Sequence, residues 1–428
     1  MDVRRFHARS YYASSASSKG MRSCLQGEAE SDICIVGAGF TGLSVALELA
    51  EKGFKVLVLE AKVIGYGASG RNGGQIVNGL NADFAKMRAG FGQKFVDFVG
   101  PLMDEGSEII RQRIRDYAIA CDYKPGNIFA AFTPKQIAAM EDKKTEWAAY
   151  GVDNFEMLGK AAIKEHIGSD AYLGGMLDHK GGHFHPLNFA LGEARAIESL
   201  DGRIYENSPV KRIEIRDGKY FAHTHHGQVK AQTLILAGNA YMQGVMPSLE
   251  ARILPCSTQV MATEPLGARA QTLLPTDLCV EDVRYILDYY RLSSDKRLLW
   301  GGGTVYGGKD PASVEAKLRK NMVKIFPMLS NVKIDYAWSG NFALSFSRVP
   351  QMGRTDKGIY YAFGYSGHGV TGSQLFGRIL AEAIDGDLRR FDVFAALGYI
   401  PFPGGRALRV PYSLIGSWWY GIRDKLGL

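Results

Sequence analysis

The run Ile33-Cys-Ile-Val-Gly37-Ala-Gly39-Phe40-Thr41-Gly42, followed by Glu60 at the end of Lys55-Val-Leu-Val-Leu59, has the residue types and spacing to hold a dinucleotide. Gly37 permits a tight turn, Gly39 lets the backbone reach a pyrophosphate, and Gly42 lets the following helix lie close to the sheet. The N-terminus of that helix then offers unpaired N–H groups to phosphate. A carboxylate at Glu60 accepts hydrogen bonds from an adenosine ribose and repels a 2′-phosphate, so FAD or NAD fits better than NADP. Phe40, Thr41 and Ala61 flank these positions as further candidate contacts.

A second match to the same glycine spacing, Gly65-Tyr-Gly67-Ala-Ser-Gly70, follows no strand of its own and runs into Arg71-Asn72-Gly73-Gly74, too glycine-rich to open a stable helix. The first match has its strand before it, Leu43, Ala46, Leu47 and Ala50 at helical spacing after it, and Gly53 where a helix C-terminus favours glycine. His183-Phe-His185 sets two imidazoles on one strand face without a third ligand, so no metal is expected.

These residues need elements to carry them. Helical periodicity is read over 85–117 and 134–150, and again over 312–326. Strands are read at 202–206, 210–215, 220–223 and 229–236, the last ending in Ala237-Gly238. From about Pro255 to Trp338 the pattern is largely of strands, with a hairpin formed by 285–292 and 297–303. A second strand–glycine–helix unit closes the chain: the strand 358–363, the turn Gly364-Tyr-Ser-Gly367-His368-Gly369, and a helix over 370–384. The expected architecture is α/β: a Rossmann-like nucleotide domain drawn from 31–80, 183–250 and 350–390, with a strand-rich α+β substrate domain from 81–182 and 251–349 inserted in it. Residues 1–30 read as a flexible N-terminal arm and 391–428 as a C-terminal extension.

The 428 residues suffice for two domains with full cores. No apolar run reaches the roughly 20 residues a membrane span needs. The net charge of +7 is dispersed among 44 acidic residues, which does not indicate nucleic acid. Five scattered cysteines without a Cys-x-x-Cys pair suit a reducing compartment, and a cytoplasmic location is expected. The tail 413–423, with Trp418 and Trp419, is apolar and is expected to fold back on its own domain. The oligomeric state is not set by these features.

Taken with Gly67-Ala-Ser69-Gly-Arg71-Asn72-Gly73-Gly74-Gln75, Gly181-Gly-His-Phe-His-Pro186 and Gly364-Tyr-Ser-Gly-His-Gly369, the chain resembles the D-amino-acid-oxidase-type FAD oxidoreductases. Leu287-Asp-Tyr-Tyr-Arg-Leu292, Gly301-Gly-Gly303, Trp338-Ser-Gly-Asn341 and Tyr399-Ile-Pro-Phe-Pro-Gly-Gly-Arg406 are similar to its gamma-glutamylputrescine oxidase branch. The resemblance implies FAD rather than NAD. It places Ser69, Arg71, Asn72, Gly73, Gly74 and Gln75 near the pyrophosphate and isoalloxazine, Val210, Ala237 and Gly238 near the adenine, and Gly367, His368, Gly369, Val370 and Thr371 under the pyrimidine end of the ring. The sarcosine-oxidase branch attaches its flavin through a late cysteine. This chain has Trp338-Ser-Gly340 there and no cysteine after Cys279, so noncovalent FAD is expected.

The implied reaction is oxidation of a primary amine, with hydride passing from the amine-bearing carbon to FAD. The resulting imine hydrolyses to aldehyde and ammonia, and oxygen is reduced to peroxide. A FAD-dependent oxidase or dehydrogenase of another amine or amino acid is the alternative within this class, and an NAD-dependent dehydrogenase and a non-catalytic FAD-binding protein are the alternatives outside it. A protonated amine must become neutral first, by desolvation or a base. Tyr290, His368, Trp338 and Gln75 are the candidate catalytic residues, with Tyr289 and Tyr290 expected on the pocket floor and Tyr365 beside the flavin segment. Arg291 or Arg348 is expected to clamp a substrate carboxylate.

Overall fold

The computed structural model describes residues 6–18, 20–242, 244–308, 313–402, 405 and 408–414. The apolar tail after Leu414, and parts of Tyr399–Arg406, lie outside them.

Two sheets organise the chain. Strands are numbered in chain order. The first sheet joins β1 (Gly27–Val36), β2 (Val56–Leu59), β7 (Arg203–Tyr205), β10 (Gly227–Leu236), β16 (Gln351–Arg354) and β17 (Tyr360–Phe363) in the order β16-β17-β10-β1-β2-β7. All pairs are parallel except the edge strand β16, and a hairpin of β8 (Arg212–Arg216) and β9 (Lys219–His223) extends it antiparallel from β10. The apolar runs of β1, β2 and β10 have the uninterrupted character of strands covered on both faces.

The second sheet runs β15 (Ile334–Ser345), β11 (Ile253–Thr263), β14 (Leu298–Tyr306), β13 (Asp288–Leu292), β12 (Cys279–Asp282), β4 (Lys124–Ala131), β6 (Gly174–His183), β3 (Gln75–Ile76), with β5 (Phe155–Leu158) paired to β6. It is antiparallel apart from the β12–β4 pair.

Helices α2 (Phe40–Glu51), α8 (Pro186–Ser199) and α12 (Gly369–Ile384) pack together against the first sheet. The continuous helix read over 85–117 is three: α3 (Phe84–Phe91), α4 (Gln93–Val99) and α5 (Glu105–Asp116), broken at Gly92, whose φ of +83° no helix accommodates, and at the turn Gly100–Asp104. Although 81–182 reads as part of the substrate domain, α5 packs on α12. The Arg113 guanidinium there, nearly fully buried, pairs with Glu48 of α2 and Glu193 of α8 and donates to Gln374 of α12. Helix α6 (Pro134–Ala148), opened by a Thr133–Gln136 capping box, covers β4 and β6, while α11 (Val314–Ile325) covers β11, β14 and β15. Short helices α7 (Lys160–His166), α9 (Pro247–Glu250) and α10 (Arg269–Leu273) and the late α13 (Arg389–Ala395) complete the set.

The described part of residues 1–30 is not a flexible arm. Helix α1 (Tyr11–Ser14) sinks Tyr12 fully into the core, 4.9 Å from the His185 ring and 5.2 Å from Trp338, and β1 already starts at Gly27. The reading at sequence level missed this because the segment has too few residues to show a period.

Candidate active site

One cavity of about 1260 Å³ lies between the two sheets. At one end it is built from backbone. Gly37 adopts φ +110°, and a Cβ on Gly42 would stand 1.9 Å from the Gly37 carbonyl oxygen, so the turn needs glycine at both places. Helix α2 opens with Gly39 as its N-cap and no side-chain cap, and α12 opens the same way at His368. Both helix N-termini therefore keep N–H groups for an anion, and Gly39 and Gly369 both line the cavity. The Phe40 amide donates to Ser69 Oγ at 2.9 Å, and Thr41 Oγ1 lies 2.8 Å from Tyr365 Oη, tying the two glycine turns together.

Glu60 stands at the tip of β2 in this end of the cavity. Its carboxylate is already engaged: Oε2 accepts from the Ala38 amide and Oε1 from the Lys62 amide, each at 2.8 Å. Desolvation raises its pKa against these two bonds. Glu60 thus braces the glycine turn and keeps lone pairs uncommitted at the cavity wall.

The candidate cofactor positions Gly37, Gly39, Phe40, Thr41, Glu60, Ala61, Ser69, Arg71, Asn72, Gly73, Gln75, Val210, Ala237, Gly238, Gly367, His368, Gly369 and Val370 all line the cavity. Gly42, Gly74 and Thr371 do not. Gly42 lies beneath the first turn, Gly74 at φ +87° rests against Arg291, and the Thr371 hydroxyl donates to Val77 O at 2.7 Å. Gln75 Nε2 and Arg71 Nε are buried polar atoms without a hydrogen-bond partner among the described residues. A cavity of this volume with two uncapped helix ends and a carboxylate at the tip of β2 fits a bound dinucleotide.

His368 hydrogen-bonds through Nδ1 to Gly79 O at 3.2 Å, and burial lowers its pKa to about 4, with Lys143 adding to the effect, so the imidazole is neutral. Tyr289 lies flat where side chains on Gly73 or Gly301 would be, their Cβ atoms meeting its ring at 2.3 and 2.0 Å. Burial raises the hydroxyl pKa of both Tyr289 and Tyr365, keeping them protonated.

Three expected side chains lie away from the cavity. On β13 successive residues face opposite ways, so with Tyr289 in the cavity Tyr290 points into the second core. There it stacks on Trp300 at 4.5 Å and 3° and donates to Tyr172 Oη at 3.0 Å. Trp338 is buried and donates its indole N–H to Arg71 O at 2.9 Å, positioning the flavin-segment backbone from behind. Arg291 is fully buried and donates to Gly73 O, Leu292 O and Tyr12 Oη, so it holds the Gly73–Gly74 turn and no substrate. His183 and His185 do not share a strand face: β6 ends at His183, which bonds Asp277 O, and His185 caps α8 by accepting from the Asn188 amide.

Arg348 does line the cavity. It sits in the turn after β15 at φ +64° and makes no ion pair to a described residue. Sequence reasoning missed Glu281, Arg284, Tyr285 and Phe346, which line the same cavity. The signal was available at Glu281, a charge within the otherwise buried strand Cys279-Val-Glu-Asp, whose alternation sends Val280 to the core and Glu281 to the opposite face.

Residues 32–383 match the DAO family, described as FAD dependent oxidoreductase. The gamma-glutamylputrescine oxidoreductase of Escherichia coli (strain K12) is 50% identical over 424 residues, 99% of each chain. A probable oxidoreductase OrdL of Haemophilus influenzae is 40% identical, covering 98% of each. Among solved structures, glycine oxidase from Bacillus cereus has a TM-score of 0.71 at 20% identity, covering 86% of this chain and 99% of its own. L-proline dehydrogenase from P. horikoshii has a TM-score of 0.70 at 20% identity, covering 92% and 99%; these two likenesses concern the fold. The family match spans the glycine turn, the cavity and the second helix N-terminus described above, and the chain belongs to the DAO family of FAD-dependent oxidoreductases.

Proposed function

We propose that this chain oxidises the primary amine of gamma-glutamylputrescine, giving the gamma-glutamyl aminoaldehyde and ammonia with oxygen as electron acceptor. The observation that carries the reading is the pairing, in one cavity, of a dinucleotide cradle with an arginine that no described carboxylate neutralises, Arg348, across an aromatic passage that includes Tyr289 and Tyr365. The half-identical relative over the full length supports the same substrate.

The chemistry that FAD supplies when bound is two-electron acceptance from the amine-bearing carbon. The chain's residues do the rest. Gly37, Gly39, Phe40, Ser69 and the start of α12 would hold the dinucleotide, Glu60 its ribose, and Arg71, Gln75 and Val370 its ring system. The aromatic walls take the four-carbon spacer and keep water from it, while Arg348 pairs with the glutamyl carboxylate and so fixes which amine end is presented. None of the five cysteines lines the cavity, which supports noncovalent FAD. Among the described residues no helix is long and apolar enough to cross a membrane.

The test is the ratio of kcat/KM for gamma-glutamylputrescine to that for putrescine. Putrescine ends in a second cation where the first substrate continues through an amide to its zwitterionic glutamyl head, so it leaves Arg348 unpaired and puts a charge in the aromatic passage. The reading requires a strong preference for the glutamylated amine; equal ratios, or faster oxidation of glycine or sarcosine, overturn it.

A further inference from the structure

An amine substrate arrives as a cation, and the cavity is lined by several cations of its own: Lys86, Lys211, Arg71, Arg284 and Arg348. Among the described residues only two carboxylates line it, Glu60 and Glu281. Glu60 is committed to two backbone amides at the dinucleotide end. The Glu281 carboxylate makes no hydrogen bond or ion pair to any described residue.

The sheet register puts Glu281 beside Tyr289 on the cavity wall. It pairs directly with Phe129 on β4 and Tyr289 on β13, so the three share the sheet face that looks into the cavity. Behind this row, from α6, the Lys143 ammonium lies over the rings of Phe129, Trp147 and Phe155 at 4.6, 4.7 and 5.7 Å. A lysine held by ring faces rather than by a carboxylate keeps its charge available to Glu281.

We propose that Glu281 is the residue that receives the substrate's ammonium and takes its proton, and that Lys143 is a positioning residue that keeps Glu281 ionised for the task. The proposal deepens the amine-oxidation reading and rests on it. In the step, one N–H bond of the ammonium breaks and its electron pair stays on nitrogen, while an O–H bond forms on Glu281. Ammonium and carboxylate become amine and carboxylic acid, with no change in total charge. The lone pair so freed is what the adjacent carbon needs as it gives up hydride. The proton leaves through the cavity mouth, where Tyr285 and Ile286 are 43% and 41% exposed.

The other titratable groups near the reacting end suit the task less well. Tyr289 and Tyr365 are held protonated, and His368, lowered to about 4, is too weak a base near neutrality. Desolvation pushes Glu281 up to about 7, Lys143 opposes the rise, and Asp282 and Asp178 add to it. The groups facing it are Lys143 on α6, Asp178 on β6, Cys279 and Asp282 on its own strand, and Tyr289 on β13. Such a base takes a proton while remaining ionised in a useful fraction at neutral pH.

The experiment measures kcat/KM against pH for FAD-loaded wild type, Glu281→Gln, Glu281→Asp and Lys143→Met. Glu281→Gln is expected to lose roughly 10²- to 10⁴-fold, together with the limb that falls below about pH 7. Glu281→Asp is expected to recover part of the rate and keep the limb. Lys143→Met is expected to move the limb to higher pH, because the cation favouring the carboxylate is gone. Thermal stability gives a readout independent of turnover. The folded pKa of about 7 lies above the ordinary glutamate value of 4.5, so the stabilisation from proton binding is full below 4.5 and is lost as pH rises through 7. Glu281→Gln should therefore gain Tm over wild type above pH 7 and gain nothing below 4.5. Glu281→Gln retaining turnover with an unchanged limb, or Lys143→Met leaving the limb in place, overturns the proposal. If wild type oxidises some other primary amine and not gamma-glutamylputrescine, the substrate reading fails, and the same ratios on that amine still decide Glu281. An enzyme that oxidises no amine overturns both.

Discussion

The two ends of the cavity are built on different principles. The dinucleotide end is made of backbone: a glycine turn, two helix N-termini without side-chain caps, and a carboxylate pinned by amides. The amine end is made of side chains projecting from one face of the second sheet, Tyr289 and Glu281 among them, with Arg348 in the turn after β15. A backbone site is inflexible in sequence, because a Cβ in the wrong place has nowhere to go. A side-chain site depends on strand register, where a shift of one residue turns the whole row away from the ligand.

The largest expected effect tests the first principle. Gly42→Leu would drive a side chain into the Gly37 carbonyl, and no FAD-containing protein should be recovered; a variant that purifies yellow would show that the turn has slack the structure does not show. At the other end, Arg348→Ala removes a charged partner worth about 1.5–3 kcal/mol, a loss of roughly 10- to 150-fold in kcat/KM for gamma-glutamylputrescine. Turnover of putrescine should change little, and a parallel fall on both substrates would remove Arg348 from the role of clamp.

Glu60→Ala sharpens the comparison from within the dinucleotide end. FAD affinity is expected to fall on the order of tenfold or more for a lost hydrogen bond to a charged group, as fluorescence titration of the apoprotein would show. The two freed amides add a loss of Tm. Turnover saturated with FAD should stay intact, since Glu60 lies at the far end from the amine; its collapse would mean that the two ends are coupled.

The smallest effect concerns the sheet face that turns away. Tyr290→Phe removes only the bond to Tyr172 and keeps the stack on Trp300, so a stability loss of about 1 kcal/mol in denaturant unfolding is expected, with kcat unchanged. A fall in kcat would place Tyr290 at the reacting amine and reverse the register assigned to β13.

The same difference explains what was legible in the residues. The Gly37–Gly42 turn, Glu60, the late Gly367–Gly369 turn and the two-sheet α/β architecture were readable because each is specified by local spacing that geometry tolerates in few other forms. Tyr289 and Tyr290 both read as pocket floor, with Tyr290 the catalytic candidate, and the strand's alternation alone does not say which side faces the cavity; the pairing with β12 and β14 decides it. Arg291 looked like a clamp because an arginine in a strand has few obvious partners nearby in sequence; its partners, Gly73 O and Tyr12 Oη, come from remote parts of the chain. Glu281 was passed over for the same reason, since its neighbours Phe129 and Lys143 belong to β4 and α6.

The most direct test of the account is the flavin absorbance of the purified protein under anaerobic conditions. Gamma-glutamylputrescine is expected to bleach the visible flavin band rapidly, and putrescine at equal concentration far more slowly, with all of the yellow colour released to the supernatant on acid precipitation. Bleaching by putrescine at the same rate, or by glycine or sarcosine with gamma-glutamylputrescine inert, would contradict it.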